Sequence, residues 1–353
     1  MRASLAGLDE IGGFDEIIDV RSPAEYADDH IPGAINCPVL DNEQRAQVGT
    51  LYVQVSPFEA KKIGAALVAE NIARHLRERF LDRPKNWRPL IYCWRGGNRS
   101  GAMVTIFRAI GWRAFQLEGG YKTYRRGVMD ELLTLPRKFS FSVLCGPTGS
   151  AKTAILQAIG ALGEQILDLE SLARHKGSVL GVLPDVPQPG QKALESALHE
   201  QLLAFDPGRP LYVEAESRKI GRLRLPDALL ETMRNGECIT IEAEPAARVE
   251  FLLRDYGYFL TDPERLKGHL QGLAGLHSRE TLTAWNAWID AGCWRELVAD
   301  LLEKHYDPQY RRSQDRHYAG LSRPHEIKTE ALDPESIFRI AQTIVRLSPH
   351  PAP

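Results

Sequence analysis

Residues 139–159 contain a strand, a short glycine-bearing loop and a helix in direct succession, and this unit restricts the fold more than any other part of the chain. The loop reads Gly146-Pro147-Thr148-Gly149-Ser150-Ala151-Lys152-Thr153. It has the phosphate-binding pattern G-x-x-x-x-G-K-[ST], with Ala151 where the second glycine usually stands. An apolar run precedes it at 141–145 and a helical run follows at 154–159. Because the pattern needs that strand and that helix, it predicts an α/β domain here.

The residue types in this loop predict which atoms would hold a phosphate. Backbone N–H groups of Gly146, Gly149 and Ser150 would surround phosphate oxygens. The Lys152 ammonium would balance the phosphate charge, and the Thr153 hydroxyl would bind Mg²⁺. The alternative is a glycine-rich turn in which Lys and Thr follow by chance.

Acidic residues follow two further apolar strands. Asp168 and Glu170 come after the strand at 166–167, and Glu214 and Glu216 come after the strand at 212–213. A carboxylate at the carboxyl end of a strand beside a phosphate loop can hold Mg²⁺ or accept a proton. Each of them can equally be an acidic residue that faces solvent at the end of a strand.

A second strand, loop and helix begin at residue 89. The loop reads Cys93-Trp94-Arg95-Gly96-Gly97-Asn98-Arg99-Ser100. Gly96 and Gly97 allow successive backbone N–H groups to turn inward as an anion-binding nest. The helix N-terminus with Arg95 or Arg99 adds positive potential, which favours a nucleophilic thiolate at Cys93. The structural alternative is a buried cysteine at the end of a core strand.

Length and patterning predict two domains, residues 1–136 and 137–353. A chain of 353 residues is long enough for about two domains of ordinary size. Strands alternate with helices in both halves, which is typical of parallel α/β sheets, and Pro136 marks a short linker at 135–138. Helical periodicity dominates from residue 245 onward, and it predicts a helical extension of the second domain. Its helices are expected at 246–260, at 280–305, and at 333–347 with Asp333 as N-cap and Pro334 in the first position.

Composition excludes several classes of protein. Hydrophobic residues make up 43% and charged residues 25% of the chain, the mixture of a globular protein with buried cores. No apolar run reaches the roughly 18 residues of a membrane span, so we expect no membrane partner. Five cysteines form a sparse, odd set without zinc-ligand spacing, and the N-terminus lacks the form of a signal peptide. We therefore expect reduced thiols and a cytoplasmic protein.

A nucleic-acid partner has to be inferred from local patches, because the net charge is only −2. Residues 304–328 contain six Lys or Arg against three acidic residues, together with three tyrosines. Such a patch can contact phosphates and stack on unpaired bases, or it can be an ordinary solvated surface. The candidate tRNA or phosphate contacts are Arg174, Lys176, Arg218, Arg311 and Arg312. Trp285, Trp288 and Trp294 recur at near-helical spacing and favour a core, although a pocket for an apolar chain is conceivable there.

Residues 9–135 resemble the rhodanese (sulfurtransferase) domain. The resemblance depends on the Cys93 loop, on two stretches at 19–26 and 30–36, and on the turn Glu118-Gly119-Gly120-Tyr121. Cys93 and Arg99 bracket five residues, one more than in common single-domain rhodaneses. The longer loop is expected to hold a larger group or anion. Phosphatases related to rhodanese share this Cys-x5-Arg spacing, which makes phosphoester hydrolysis a rival interpretation.

The order of the two chemical centres resembles the tRNA 2-selenouridine synthase family, in which a rhodanese domain precedes a P-loop domain. The stretches 40–52, 167–178, 216–221 and 305–311 support the resemblance. The string Gly-Pro-Thr-x-Ser-x-Lys-Thr at 146–153 also resembles the tRNA dimethylallyltransferases, P-loop enzymes that transfer a prenyl group to tRNA.

The resemblance implies a specific reaction on tRNA that carries 2-thiouridine at the wobble position. Geranyl diphosphate would supply a geranyl group to the sulfur, and selenophosphate would supply the selenium that replaces it, with loss of geranyl thiol. We expect the loop at 146–153 to hold the diphosphate, with Mg²⁺ as a candidate cofactor. Cys93 would take part in selenium transfer, with Arg95, Arg99 and the loop amides holding selenophosphate.

Two other functions fit the same residues. One is a thiosulfate-type sulfurtransferase fused to a P-loop NTPase. The other is a regulatory module whose cysteine loop senses anions or oxidants without catalysis.

Overall fold

The chain divides into two compact units, and the computed structural model describes residues 5–314 and 325–347, with only the backbone at 311–314. The first unit comprises residues 1–131 together with 190–200, and the second comprises 132–189 and 201–353. The sequence places 132–136 in the first domain and 190–200 in the second, and the structure differs on both points.

Polar contacts explain why residues 190–200 belong to the first unit. The Ser196 hydroxyl donates a hydrogen bond to the buried carboxylate of Asp29 at 2.9 Å, and Lys192 pairs with Asp28 at 2.6 Å. His199 lies 2.7 Å from a carboxylate oxygen of Glu131. These partners lie about 70 to 170 positions away along the chain. Local sequence patterns therefore cannot predict these contacts.

The first unit is built on a five-stranded parallel sheet in the order β1-β5-β4-β2-β3. Its strands are Leu5–Ala6 (β1), Glu16–Asp19 (β2), Ile35–Asn36 (β3), Pro89–Tyr92 (β4) and Phe115–Leu117 (β5). Its helices are Pro23–Asp28 (α1), Asn42–Gln54 (α2), Pro57–His75 (α3), Asn98–Ile110 (α4) and Tyr121–Leu132 (α5). A 3₁₀ turn at Leu8–Gly13 and a π-helical turn at Leu76–Phe80 complete it. The apolar β4 is fully buried, and helices connect the parallel strands as the pattern predicts.

The second unit contains another five-stranded parallel sheet, in the order β12-β11-β6-β8-β7. Its strands are Phe141–Cys145 (β6), Gln165–Leu167 (β7), Leu211–Glu214 (β8), Glu237–Ala243 (β11) and His325–Thr329 (β12), and a separate antiparallel pair is formed by Lys219–Ile220 (β9) and Leu223–Arg224 (β10). Its first helices are Lys152–Ala161 (α6), Leu169–Ala173 (α7), Gln191–Ala204 (α8, which begins in the first unit) and Asp227–Arg234 (α9). The predicted linker at 135–138 is a short 3₁₀ turn. The predicted α/β fold class is therefore confirmed for both units.

The helical extension is more broken than the sequence predicts. Its helices are Pro245–Asp255 (α10), Gly257–Thr261 (α11), Pro263–Gln271 (α12), Arg279–Ala291 (α13), Trp294–Leu301 (α14), Asp307–Gln314 (α15) and Pro334–Leu347 (α16), with a π-helical turn at Leu302–Tyr306. The single helix expected at 280–305 is wrong, because Gly292 takes a left-handed conformation (φ 67°) and ends α13. The helix expected at 246–260 is interrupted at Tyr256. Strand β12 interrupts the helical stretch and was not predicted.

The last helix, α16, begins as the sequence predicts. The Asp333 carboxylate accepts hydrogen bonds from the backbone N–H groups of Glu335 and Ser336 at 3.0 and 3.1 Å, which makes it the N-cap. The buried face of α16 packs against α6 and the sheet, and its members are Ile337, Ile340, Ala341 and Ile344. No helix within the described ranges has both the length and the apolar character of a bilayer span.

We predict that the free energy of unfolding depends strongly on this buried face. Ile340→Ala should lower it by about 2–5 kcal/mol, because the substitution leaves a cavity between α16 and the sheet. The matched control is Phe338→Ala on the same helix, since Phe338 is 43% exposed and its loss should change stability by only about 0.5 kcal/mol. Urea denaturation measures both variants, and equal losses would contradict the packing described here.

Candidate functional site

The carboxyl ends of three neighbouring strands create the principal site of the second unit. Strand β6 lies beside β8, with Leu144 paired to Glu214, and β7 lies on the other side of β8. All three strands are parallel, so their carboxyl ends lie at the same edge of the sheet. The phosphate loop follows β6, Glu216 follows β8, and Glu170 follows β7.

The phosphate loop has the backbone that the motif predicts. Gly146 and Gly149 have φ values of 154° and 84°, and a Cβ on Gly146 would lie 2.8 Å from the carbonyl oxygen of Ile241. Ala151 also has a positive φ of 59° and lies immediately before α6. Alanine, which stands here in place of the usual glycine, is therefore tolerated in a left-handed conformation, at a cost of about 1 kcal/mol in conformational free energy. The Lys152 ammonium donates to the carbonyl oxygen of Gly146 at 2.8 Å and so lies over the loop.

Arg248 supports the phosphate loop, and no motif in the sequence marks it. This buried side chain on α10 donates two hydrogen bonds to the carbonyl oxygen of Thr148, from Nε at 2.9 Å and from Nη2 at 2.8 Å. Its charge is balanced by Asp307, whose Oδ2 accepts from Nη1 at 3.1 Å. The contacts span 100 and 59 positions of the chain. Arg248 therefore fixes the loop conformation through long-range contacts.

Three of the four predicted carboxylates meet beside this loop. Oxygen atoms of Glu170, Glu214 and Glu216 lie within 4.8 Å of one another. The Thr153 hydroxyl donates to Oε2 of Glu170 at 3.2 Å, so it borders the same cluster. Glu214 is only 4% exposed, and within the described part of the chain its Oε1 has no hydrogen-bond partner. A buried oxygen of this kind is costly unless a cation or a proton satisfies it.

Burial and mutual repulsion disfavour three negative charges in this cluster. Burial raises the pKa of Glu170, and the charges of Glu214 and Glu216 raise it further. Burial also raises the pKa of Glu214 and of Glu216, while the Lys152 ammonium opposes both shifts. The donor set consists of hard oxygens, which Mg²⁺ prefers. The residues present therefore fit a divalent cation, with the unpartnered oxygen of Glu214 as the structural reason.

Asp168, the fourth predicted carboxylate, lies outside the cluster and caps a helix. Its Oδ1 accepts a hydrogen bond from the backbone N–H of Ser171 at 2.8 Å, and its Oδ2 accepts from Gln157 at 3.3 Å. These contacts give Asp168 a structural role at the start of α7.

A cleft of about 640 Å³ adjoins the loop and the carboxylates. It is lined by Gly146, Gly149, Lys152 and Thr153 on one side and by Glu170, Glu214, Glu216 and Lys176 on another. Its size suits a phosphorylated small molecule.

The Cys93 loop in the first unit is held by the glycine turn that follows β5. The backbone N–H of Tyr121 donates to the carbonyl oxygen of Cys93 at 2.8 Å, and the N–H of Lys122 donates to that of Trp94 at 3.0 Å. Gly120 approaches so closely that a Cβ there would lie 2.4 Å from the carbonyl oxygen of Cys93. The loop is thus fixed at its start by backbone contacts.

Gly96 and Gly97 both have left-handed conformations, with φ values of 70° and 77°, and Gly97 is the N-cap of α4. The first N–H groups of a helix have no partner within the helix. Together these features give the loop the backbone of an anion-binding nest at the start of a 13-residue helix.

Ser100 and Gln116 hold the cysteine side chain, and no sequence motif marks Gln116. The Ser100 hydroxyl donates to Sγ of Cys93 at 3.3 Å, and it accepts a hydrogen bond from Nε2 of Gln116 at 3.0 Å. Gln116 also donates to the carbonyl oxygen of Gly97 at 3.1 Å. The Ser100 hydroxyl also lies 3.4 Å from the carbonyl oxygen of Gly97, so it joins the sulfur to the backbone of the loop.

The two predicted arginines differ in their surroundings. Arg95 is exposed in the loop. Arg99 forms two hydrogen bonds with the Glu25 carboxylate, at 2.7 and 3.1 Å. The charge of Arg99 is therefore already balanced, which weakens the phosphatase interpretation, since that chemistry needs a guanidinium facing the phosphate. An anion-holding role for both arginines stays a prediction.

The candidate tRNA contacts have different surroundings among the described side chains. Lys176 lies at the cleft and binds the Asp255 carboxylate at 2.8 Å, whereas Arg218, directly before β9, pairs with Asp227 at the start of α9. Arg174 is exposed at the end of α7. The side chains of Arg311 and Arg312, and residues 315–324 of the predicted basic patch, lie outside the described residues. Trp285 is fully buried in the helical extension, as the core interpretation predicts.

A known protein family matches each of the two units. Residues 3–126 match the rhodanese-like domain family. Residues 139–279 match a second family, described as the tRNA 2-selenouridine synthase AAA domain. Both resemblances that the sequence motifs predict are confirmed.

Several curated proteins match most of the chain, and each is described as a tRNA 2-selenouridine synthase. The protein of Nitrosomonas europaea is 34% identical over 295 residues, covering 80% of this chain and 76% of its own length. The protein of Alcanivorax borkumensis is 32% identical over 328 residues, covering 83% and 88%. The protein of Shewanella denitrificans is 35% identical over 328 residues, covering 83% and 87%.

We predict that the Glu25–Arg99 pair makes a stability contribution that acid removes. Although burial raises the pKa of Glu25, the hydrogen bonds and charge of Arg99 outweigh it and lower the pKa to about 2. Because the pKa is lower in the folded state than in the unfolded state, the pair stabilises the fold fully above the unfolded value, near pH 4.5. This stabilisation is lost as the pH falls towards 2. Glu25→Gln should therefore cost about 2 kcal/mol at neutral pH, after allowance for solvent screening, and progressively less below about pH 4.5.

Urea unfolding across this pH range measures the difference between wild type and Glu25→Gln. Glu70→Gln is the control, because Glu70 is exposed in the middle of α3. A cost that stays constant with pH would exclude the ion pair as its origin.

Proposed function

The chain belongs to the tRNA 2-selenouridine synthase family, and from this premise we propose that it replaces the sulfur of a wobble 2-thiouridine in tRNA by selenium in two steps. In the first step a geranyl group passes from geranyl diphosphate to the sulfur. In the second step the selenium of selenophosphate forms a bond to C2, the alkylated sulfur leaves as geranyl thiol, and water takes the phosphoryl group from selenium so that phosphate is released. The observation on which the proposal depends is the phosphate loop with Lys152 and Thr153 beside three carboxylates, of which Glu214 is buried and the other two are half-buried.

The first step follows from the chemistry of a thiocarbonyl group. The uridine sulfur attacks the first carbon of the geranyl chain, a C–S bond forms, and the C–O bond to the diphosphate breaks. The diphosphate leaves with the bonding electron pair, so the site has to stabilise growing negative charge on oxygen. The amides of Gly146 and Gly149 and the Lys152 ammonium are the groups of this chain that support that role.

Mg²⁺ would be held by Glu170, Glu214, Glu216 and the Thr153 hydroxyl, whose oxygens match its preference. When bound, it supplies positive charge to a phosphate leaving group. By holding the cation, the carboxylates would place its positive charge near the phosphate loop.

The second step needs a leaving group at C2 of the uridine. An alkylated sulfur departs as a thiolate and makes C2 more electrophilic than a thiocarbonyl does. We assign selenium transfer to the Cys93 loop, where the nest of Gly96 and Gly97 and the exposed Arg95 are the groups offered to selenophosphate. The Ser100 hydroxyl holds the sulfur of Cys93, and Gln116 in turn holds Ser100.

We predict that substitutions in the two loops separate the two steps. Lys152→Ala should reduce geranylation of thiolated tRNA at least about 100-fold, because an electrostatic contact to the leaving group is lost. The same variant should still convert tRNA that was geranylated beforehand. Cys93→Ala should show the opposite pattern. Mass spectrometry of nucleosides after digestion of the tRNA measures both products.

Two results would contradict this division of labour. One is a loss of selenation on pre-geranylated tRNA in Lys152→Ala with normal geranylation. The other is full modification by Cys93→Ala, which would favour the regulatory alternative. Thiosulfate-to-cyanide turnover with strong ATP hydrolysis, and no change in tRNA, would favour the sulfurtransferase fused to an NTPase.

We also predict a metal response that depends on Glu214. Mg²⁺ should raise the unfolding temperature of the wild-type protein, because a ligand that binds only the folded state stabilises it. Glu214→Gln should lose most of this rise. Without Mg²⁺ the variant should be at least as stable as wild type, since a buried charge beside two others is removed.

Thermal unfolding with and without MgCl₂ tests both parts of this prediction. Glu303→Gln serves as the control, because Glu303 is an exposed acidic residue of the same unit. An identical Mg²⁺ response in wild type and Glu214→Gln would show that the carboxylate cluster does not bind the metal.

A further inference from the structure

An apolar cavity of about 60 Å³ lies against the phosphate loop of the second unit. Its walls are formed by leucine, valine and aromatic side chains from α10, α11, α12 and α14, and Thr148 of the loop closes one side. The cavity is partly open to solvent, so its apolar lining meets water when nothing is bound. An apolar ligand that covers this lining would therefore be stabilised by the hydrophobic effect.

The cavity and the polar cleft share part of their walls. Thr148, Leu252, Tyr256 and Tyr306 line both spaces. The cleft contributes Lys152, Thr153 and the carboxylate cluster, while the cavity contributes almost only carbon. Two adjoining spaces of opposite polarity fit one ligand with a charged head and an apolar tail.

One face of α14 forms the part of the cavity that does not border the cleft. Trp294, Leu297, Val298 and Leu301 follow the spacing i, i+3, i+4 and i+7, so they point in the same direction from the helix. None of the four lines the cleft. Val298 is the smallest of them, and its side chain is half-buried.

We propose that this cavity binds the far end of the hydrocarbon chain of a prenyl diphosphate whose diphosphate is held by the phosphate loop. The proposal rests on the geranyl transfer proposed above and adds to it the residues that bind the tail. The diphosphate would lie at Lys152, the chain would pass along Leu252 and Tyr256, and its last carbons would contact the α14 face.

The size of the cavity matches part of such a chain. An atom of the size of a water molecule occupies roughly 10–15 Å³ of such a cavity, so the cavity holds about four to six carbon atoms. That is about one isoprene unit. A two-unit chain would place its second unit in the cavity and its first along the shared wall, next to the reacting carbon.

Val298→Phe tests the proposal by filling the cavity, because phenylalanine adds about four carbon atoms at its wall. Wild-type protein with Mg²⁺ should bind geranyl diphosphate at least about tenfold more tightly than inorganic pyrophosphate, since burying the tail adds apolar stabilisation. Val298→Phe should lose most of that advantage and still bind pyrophosphate within about twofold of wild type. Isothermal titration calorimetry on the full chain measures both affinities.

Ala299→Phe is the matched control, because Ala299 is exposed on the neighbouring position of the same helix. It should bind both ligands as wild type does. Val298→Ala provides a variant in the opposite direction, since it enlarges the cavity without overpacking it. It should shift the ratio of affinities towards farnesyl diphosphate at least about threefold relative to wild type.

The outcomes separate the tail site from the proposed function. If geranyl diphosphate binds and is transferred, but neither substitution at Val298 changes the affinity ratios, the tail lies elsewhere and only this inference fails. If wild type binds neither pyrophosphate nor geranyl diphosphate in the presence of Mg²⁺, the transfer reaction at the phosphate loop is itself excluded.

Discussion

In the second unit a cluster of three acidic side chains lies beside a loop whose pattern is that of a phosphate-binding site. Glu170, Glu214 and Glu216 lie too close together to remain fully ionised without a positive partner. The positive charge of Lys152 acts to lower the pKa of all three. A diphosphate alone would add negative charge to this region. A divalent cation held by the three carboxylates would remove the conflict. The arrangement therefore favours a ligand that arrives with a metal over a bare anion.

The first unit holds the Cys93 thiol in rigid surroundings, within the apolar core and at the start of the glycine-bearing loop. Cys93 is only 2% exposed, and its carbonyl group is held by the turn at Gly120 and Tyr121. The Ser100 hydroxyl fixes the sulfur from the other side. Preorganisation of this kind lowers the cost of orienting the nucleophile during reaction. The buried Asp19–Arg21 pair, at 2.6 Å, anchors the strand next to the loop.

The sequence predicted the parts of the molecule that local patterns encode. Both strand–loop–helix units, the cap at Asp333 and the strand ends bearing Glu170 and Glu214 have signatures within a few residues, and the structure contains each of them. Contacts between distant positions have no such signature. Arg248 reaches the phosphate loop across 100 positions, and Gln116 reaches Ser100 from another strand. The break at Gly292 was missed because the apolar spacing continues across it.

The two anion loops share their construction and differ in what they present to a ligand. Each follows a buried parallel strand and precedes a helix, so each places unpaired N–H groups and a positive helix end around an anion. The loop of the first unit begins with a thiol, a nucleophilic group. The loop of the second unit ends with an ammonium and a hydroxyl, which in the proposed reaction would hold a leaving group. Replacement of one chalcogen by another needs both functions, because the outgoing atom must be made a leaving group before the incoming one can displace it. A chain with only one of these loops could perform one half of that exchange.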